Sequence, residues 1–179
     1  CFDSMGAGAS VDLPDRVDRE AVISFAGDRY NEEVFATLVE GDGCIPKEKL
    51  MDLLDDTDCF LTHDWGMDEM GRSNHERVSR INDELKQRGL VTWFDTDRLT
   101  GNIVQQMCDG IDNSQCIIVF ITKNYVEKVS GSNPNDNCQL EFSYAFRRKT
   151  AKFMVPVVME ARMRSTSLWA GAVGMALGG

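Results

Sequence analysis

No apolar run in this 179-residue chain approaches the ~18 residues that a bilayer-crossing helix needs, so no spanning helix is expected within it. Basic excess is missing too: the net charge is −10, with no basic stripe to grip phosphate backbones, which sets aside nucleic-acid binding. The six cysteines (1, 44, 59, 108, 116 and 138) form no CxxC pair and no metal-ligand spacing. That excludes a cysteine-based metal site and a disulfide scaffold, and reads as a reduced, intracellular, cytoplasmic protein. Cys59, Cys108 and Cys116 fall on apolar faces, where a free thiol behaves as a small hydrophobe. The GxGxxG fingerprint of dinucleotide-binding dehydrogenases is absent, which argues against hydride transfer.

What is present is a succession of short apolar runs between Asp58 and Glu160, bounded by polar residues or glycine. They cover residues 58–64, 91–101, 115–122 and 153–160, and read as strands buried on both faces. Between the first two, Val78, Ile81, Leu85 and Leu90 form a helical stripe, with Ser73 and Glu76 as a capping box and Gly89 as the C-cap. Between the next two, Ile103, Val104, Met107 and Ile111 repeat the pattern after Gly101-Asn102. A third helix runs through Leu140–Phe146 and ends in Arg147-Arg148-Lys149, which suits its negative pole. Strand alternating with helix implies a parallel sheet, and right-handed crossovers favour the order 2-1-3-4 with helices on both faces.

These boxes resemble those of the Toll/interleukin-1 receptor (TIR) domain family. Cys59-Phe60-Leu61-Thr62-His63 is similar to its first strand, and Trp93 to Gly101 to its second strand and BB loop. Cys116 to Asn124 is similar to the third strand and the residues just after it. Asn137-Cys138-Gln139-Leu140-Glu141 resembles the start of the helix that carries the catalytic glutamate of the NAD-cleaving members. The resemblance implies a flavodoxin-like three-layer α/β/α fold and a role in signalling of the innate-immune kind. It also implies a fifth strand and a last helix that residues 161–179 do not supply, so the domain is read as C-terminally incomplete, with an apolar sheet edge left open.

Residues 1–56 carry nearly all the net negative charge, with 14 acidic against 5 basic side chains, and read as a separate helical extension before a domain at 57–179. Asp12 or Asp15 is placed to cap a first helix through Val22. Residues 32–39 form a second, and Pro46 opens a third over Lys47 to Leu54. Glu40, Asp42, Gly43 and Ile45 match inner positions of an EF-hand loop, but Leu38 and Lys49 stand where calcium needs carboxylates. The extension therefore reads as a degenerate EF-hand-like pair or a plain helical hairpin, with no metal. Met5-Gly6 begins a myristoylation pattern if Met5 is the initiator; otherwise it is a flexible leader. Membrane contact is expected only through an acylated Gly6.

In an open parallel sheet, ligands sit beyond the carboxyl ends of the strands. His63, Asp64, Asp95 to Gly101, Thr122-Lys123 and Glu160 gather at that end. The resemblance implies Glu141 as the catalytic carboxylate in hydrolysis of the nicotinamide–ribose bond of NAD, with NAD as substrate and no cofactor. His63, Asp64, Trp65, Asp95, Asp97 and Cys138 are the candidate substrate-binding residues. Glu141 is expected in the first turn of its helix, on the crevice rim, with no partner demanded by packing. Taken singly, Glu141 is also a favourable acid near a helix N-terminus, His63 a structural residue, and Trp65 a residue packed under its loop. Family members often carry Trp four residues before the glutamate, where this chain has Asn137; Cys138 follows the plant-type pattern. The alternative reading is a non-catalytic adaptor that assembles with other TIR domains, using Asp97, Arg98, Leu99 and Gly101 of the BB loop as contacts.

Overall fold

The computed structural model describes residues 14–27, 30–50, 56–94 and 103–179. Asp95, Asp97, Arg98, Leu99 and Gly101, the Gly101-Asn102 helix start, Asp12 and the Gly6 leader lie outside the described residues. The chain divides into two compact units, Cys1–Asp56 and Thr57–Gly179.

In the first unit, β1 (Arg16–Val17) pairs antiparallel with β2 (Ile45–Pro46). Helix α1 (Arg19–Ala26) is capped by Asp18, whose carboxylate accepts from Ala21 N at 2.8 Å. The cap is thus neither Asp12 nor Asp15, and the helix runs past Val22, because Arg16 and Val17 are held extended by the β pairing. Asn31 caps α2 (Glu32–Leu38). Residues 47–50 are helical, and the rest of the expected third helix lies outside the described residues. Val17, Val22, Phe35, Ile45 and Leu50 make a small core. Glu40 and Asp42 are engaged by cations of the chain itself. Arg16 Nε donates to Asp42 Oδ2 at 2.9 Å and its Nη1 to Glu40 Oε2 at 2.6 Å. Lys49 Nζ reaches Glu40 Oε1 at 3.1 Å.

The second unit is a four-stranded parallel sheet in the order β4-β3-β5-β6, the expected 2-1-3-4 arrangement. Its strands are β3 (Thr57–Thr62), β4 (Thr92–Trp93), β5 (Ser114–Ile121) and β6 (Met154–Val158). Side chains alternate across the sheet. Phe60, Trp93, Ile117, Val119 and Ile121 face one core. Cys59, Leu61 and Phe120 face the other. Each such aromatic or aliphatic side chain taken fully out of water contributes about 1.5–3 kcal/mol. β6 departs from the expectation of burial on both faces. It lies at the edge, with Val155 and Val158 exposed, because among the described residues nothing pairs beyond it.

Helix α3 (Asn74–Gln87) covers the second core with Val78, Ile81 and Leu85. Ser73 Oγ accepts from Glu76 N at 3.2 Å, and Gly89 just beyond the helix has φ 86°, as the capping pattern requires. On the opposite face lie α4 (Ile103–Asp112), α5 (Lys123–Val129), α6 (Asn137–Lys149) and α7 (Gly171–Leu177). The basic last turn of α6 does more than complement its dipole. Arg148 Nε donates to Asp112 Oδ1 at 2.6 Å, and Lys149 Nζ to the Asp112 carbonyl at 2.7 Å. Residues 161–177 form two 3-10 turns and α7, and place Met163, Trp169 and Val173 in the core. No helix among the described residues is long and apolar enough to cross a membrane.

Candidate functional site

Three segments converge beyond the carboxyl end of β3. The strand ends at Thr62 and continues into His63, Asp64 and Trp65. Thr122 follows β5 and caps α5, its Oγ1 accepting from Tyr125 N at 3.0 Å, which brings Lys128 round on the last turn. Asp136 caps α6, its carboxylate accepting from Cys138 N at 2.9 Å, and so aims Asn137, Cys138 and Glu141 at the strand end. Between them lies a pocket of about 370 Å³, lined by His63, Trp65, Lys128, Asn137, Cys138 and Glu141, with Asn133, Asn135 and Asp136 at its rim. Its size falls in the range of small-molecule sites.

Glu141 differs from its expected setting in two respects. It is the fifth residue of α6, in the second turn rather than the first. Its side chain is also buried and partnered: Thr62 Oγ1 donates to Glu141 Oε2 at 2.6 Å. The reason is geometric. A helix capped at Asp136 turns its fifth position inward, on the same face as Cys138 and Phe142, and the end of β3 lies directly against that face. Thr62 Oγ1 in turn lies 3.1 Å from the hydroxyl of Tyr125, which is fully buried.

The remaining residues fall into place around this carboxylate. Cys138 is buried, its Sγ donates to the His63 carbonyl at 3.4 Å, and burial pushes its thiol far above the ordinary range. It therefore stays protonated and is no nucleophile. Asp64, a candidate substrate-binding residue, does not line the pocket but backs Lys128, which does. It is buried, paired with Lys128 Nζ at 2.8 Å and held by Asn74 Nδ2 at 2.9 Å. For Lys128, burial lowers the ammonium pKa, but the hydrogen bond to Asp64 and coulombic interactions with Cys138, Asp64 and Asp136 together outweigh it, and the net shift is upward. Trp65 is 55% exposed, so it does not pack beneath its loop; its ring stacks on His75 at 3.9 Å. His63 Nε2 and His75 Nδ1 are 2.8 Å apart, and both rings stack near Phe94, at 5.4 and 5.2 Å. The result is a group of stacked rings, of which His63 and Trp65 line the pocket.

Glu160, expected on the same rim, is a clasp. Its buried carboxylate accepts from Glu69 N at 3.0 Å, Lys123 N at 2.8 Å and the Arg162 guanidinium at 2.8 Å, which holds its pKa below the usual range. The roles of Thr62, Tyr125, Lys128, His75 and Phe94 escaped sequence reasoning, since each depends on a contact far along the chain. Thr62 stood next to a candidate residue and Asn74 inside the capping segment, but no local pattern marks their partners. No group of three His, Cys, Asp or Glu side chains among the described residues is placed to hold a metal ion.

The fold agrees with the family model that matches the chain. No curated protein matches the chain. The model of the TIR domain family matches residues 60–175, from the first strand of the sheet to α7. This chain belongs to the TIR domain family.

Proposed function

We propose that the unit hydrolyses the bond between nicotinamide and ribose in NAD, with Glu141 as the carboxylate that acts on the ribose. The observation that carries this reading is a buried carboxylate, held by Thr62, that lines a small-molecule-sized pocket beyond the strand ends. A carboxylate withdrawn from water interacts with developing positive charge more strongly than an exposed one.

The chemistry asks little else. The pyridinium is already cationic, so it departs without being protonated. The bond from C1′ to the ring nitrogen breaks, and its electron pair neutralises the ring. Water adds at C1′ and gives up a proton, leaving ADP-ribose and free nicotinamide. Glu141 stabilises the oxocarbenium-like charge or engages the ribose hydroxyls, by the logic of glycosidases. The Trp65 and His63 rings on the pocket lining support binding of a flat heterocycle beside them, and the amides of Asn133, Asn135 and Asn137 offer donors and acceptors to a sugar.

Incubation of the purified protein with NAD, followed by chromatography for free nicotinamide, tests the reading. Glu141→Gln keeps the shape but removes the charge, and is expected to lower the rate by on the order of 10²-fold or more. Wild-type turnover by Glu141→Gln would overturn the assignment. A wild-type protein that releases no nicotinamide, even when concentrated, would leave the non-catalytic interaction module in its place.

A further inference from the structure

We propose that Thr62 and Tyr125 are positioning residues that fix the Glu141 carboxylate through a chain of two hydroxyls. This rests on the reading of Glu141 as the reacting carboxylate. Thr62 is the last residue of β3, Tyr125 lies in the first turn of α5, and Glu141 lies in α6, so the chain ties three elements together.

Its direction follows from proton counting. The single hydroxyl proton of Thr62 is given to Glu141 Oε2 at 2.6 Å. At the 3.1 Å contact, Tyr125 must therefore donate to Thr62 Oγ1. Burial raises the phenol of Tyr125 well above its ordinary value, so it remains a donor over the working pH range. The Tyr125 ring is itself held edge-on against Phe142 of α6, with ring centres 6.5 Å apart.

Neither hydroxyl is spent on secondary structure. Asp136 caps α6 and Thr122 caps α5. A glutamate side chain has three rotatable bonds, and a buried donor on one oxygen selects one arrangement among its rotamers. Preorganisation of this kind matters because small misplacements of a reacting group are costly in rate.

The test uses Thr62→Val, Thr62→Ser and Tyr125→Phe in the full chain, with nicotinamide release measured against NAD concentration. Thr62→Val is expected to lower kcat by about 10- to 100-fold, with KM changed by no more than about threefold. Thr62→Ser restores the donor and should recover most of kcat, and Tyr125→Phe should fall between the two. Wild-type kcat in Thr62→Val, or Thr62→Ser as impaired as Thr62→Val, overturns the proposal. Crystal structures of the wild type and Thr62→Val supply a readout that needs no activity: the carboxylate is expected to leave its wild-type position. If the wild type releases no nicotinamide, the reading of Glu141 fails, and the hydroxyl chain is still judged by those structures. A carboxylate unmoved in Thr62→Val overturns it.

Discussion

Replacing Gly110 by alanine sets helix propensity against packing. Gly110 lies inside α4, and alanine is the better helix former by about 1 kcal/mol, so local reasoning expects stabilisation. The tertiary structure reverses the sign. A Cβ built on Gly110 would stand 2.6 Å from both Cδ1 and Cε2 of Trp93, far inside the ~3.5–4.0 Å of ordinary carbon contact. Trp93 cannot retreat, because it is buried and stacked on Phe60 with ring centres 4.3 Å apart and planes 14° from parallel. Overpacking of this kind costs roughly 1–3 kcal/mol, and disturbing the ring pair adds about 0.5–1.5 kcal/mol. Less the helix gain, Gly110→Ala should destabilise the unit by about 0.5–3.5 kcal/mol. That corresponds to a melting temperature lower by very roughly 2–12 °C. Urea titration and thermal melting followed by circular dichroism measure it. Adding Trp93→Phe, which shortens the ring, should recover part of the loss in Gly110→Ala. A Gly110→Ala protein that melts at or above the wild-type temperature would refute the steric argument.

Trp169→Ala removes a buried indole whose Nε1 donates to the Met163 carbonyl at 2.8 Å, and should cost about 3–5 kcal/mol in urea unfolding. A loss below about 1 kcal/mol would show that the segment from 161 onward stands outside the cooperative core. For Asp68, burial raises the carboxyl pKa, but hydrogen bonds from the Arg72 side chain and backbone and from Met70 N outweigh it and leave it at about 2. A folded value below the ordinary 3.8 means that its stabilising contribution is present above pH ~4 and is lost as pH falls through about 2. Asp68→Asn should therefore lower the urea midpoint at pH 7 and do so much less near pH 2, and a gap that stays constant or widens on acidification would contradict this.

Much of the fold could be read from the chain because its signals are local. The runs around Phe60, Trp93, Val119 and Val155 are short, apolar and punctuated, and the stripe Val78-Ile81-Leu85 has the helical period. Ser73, Glu76 and Gly89 mark helix ends through bonds and dihedral angles within a few residues. Handedness and crossover rules then leave few sheet orders, and β4-β3-β5-β6 is among them. The Asp18 cap was missed because Asp12, Asp15 and Asp18 stand close together before α1, and only the pairing of Arg16-Val17 with Ile45-Pro46 decides where the extended chain stops.

The chemical site is different in kind. Sequence alone determined that a carboxylate at 141, an imidazole at 63 and an indole at 65 would come to the same end of a parallel sheet, since topology places strand ends and the following helix starts together. It did not determine that Glu141 would be buried against Thr62, 79 positions away, or that Trp65 would rest on His75 while Lys128 neutralised Asp64. Those facts depend on the rotation of α6 about its axis and on how closely α5 approaches β3. Both are set by packing among Phe60, Tyr125, Phe142 and Val173, residues that meet only when the sheet has formed. Local periodicity fixes which face of a helix is apolar, but only close packing fixes which polar atom that face holds against its neighbour.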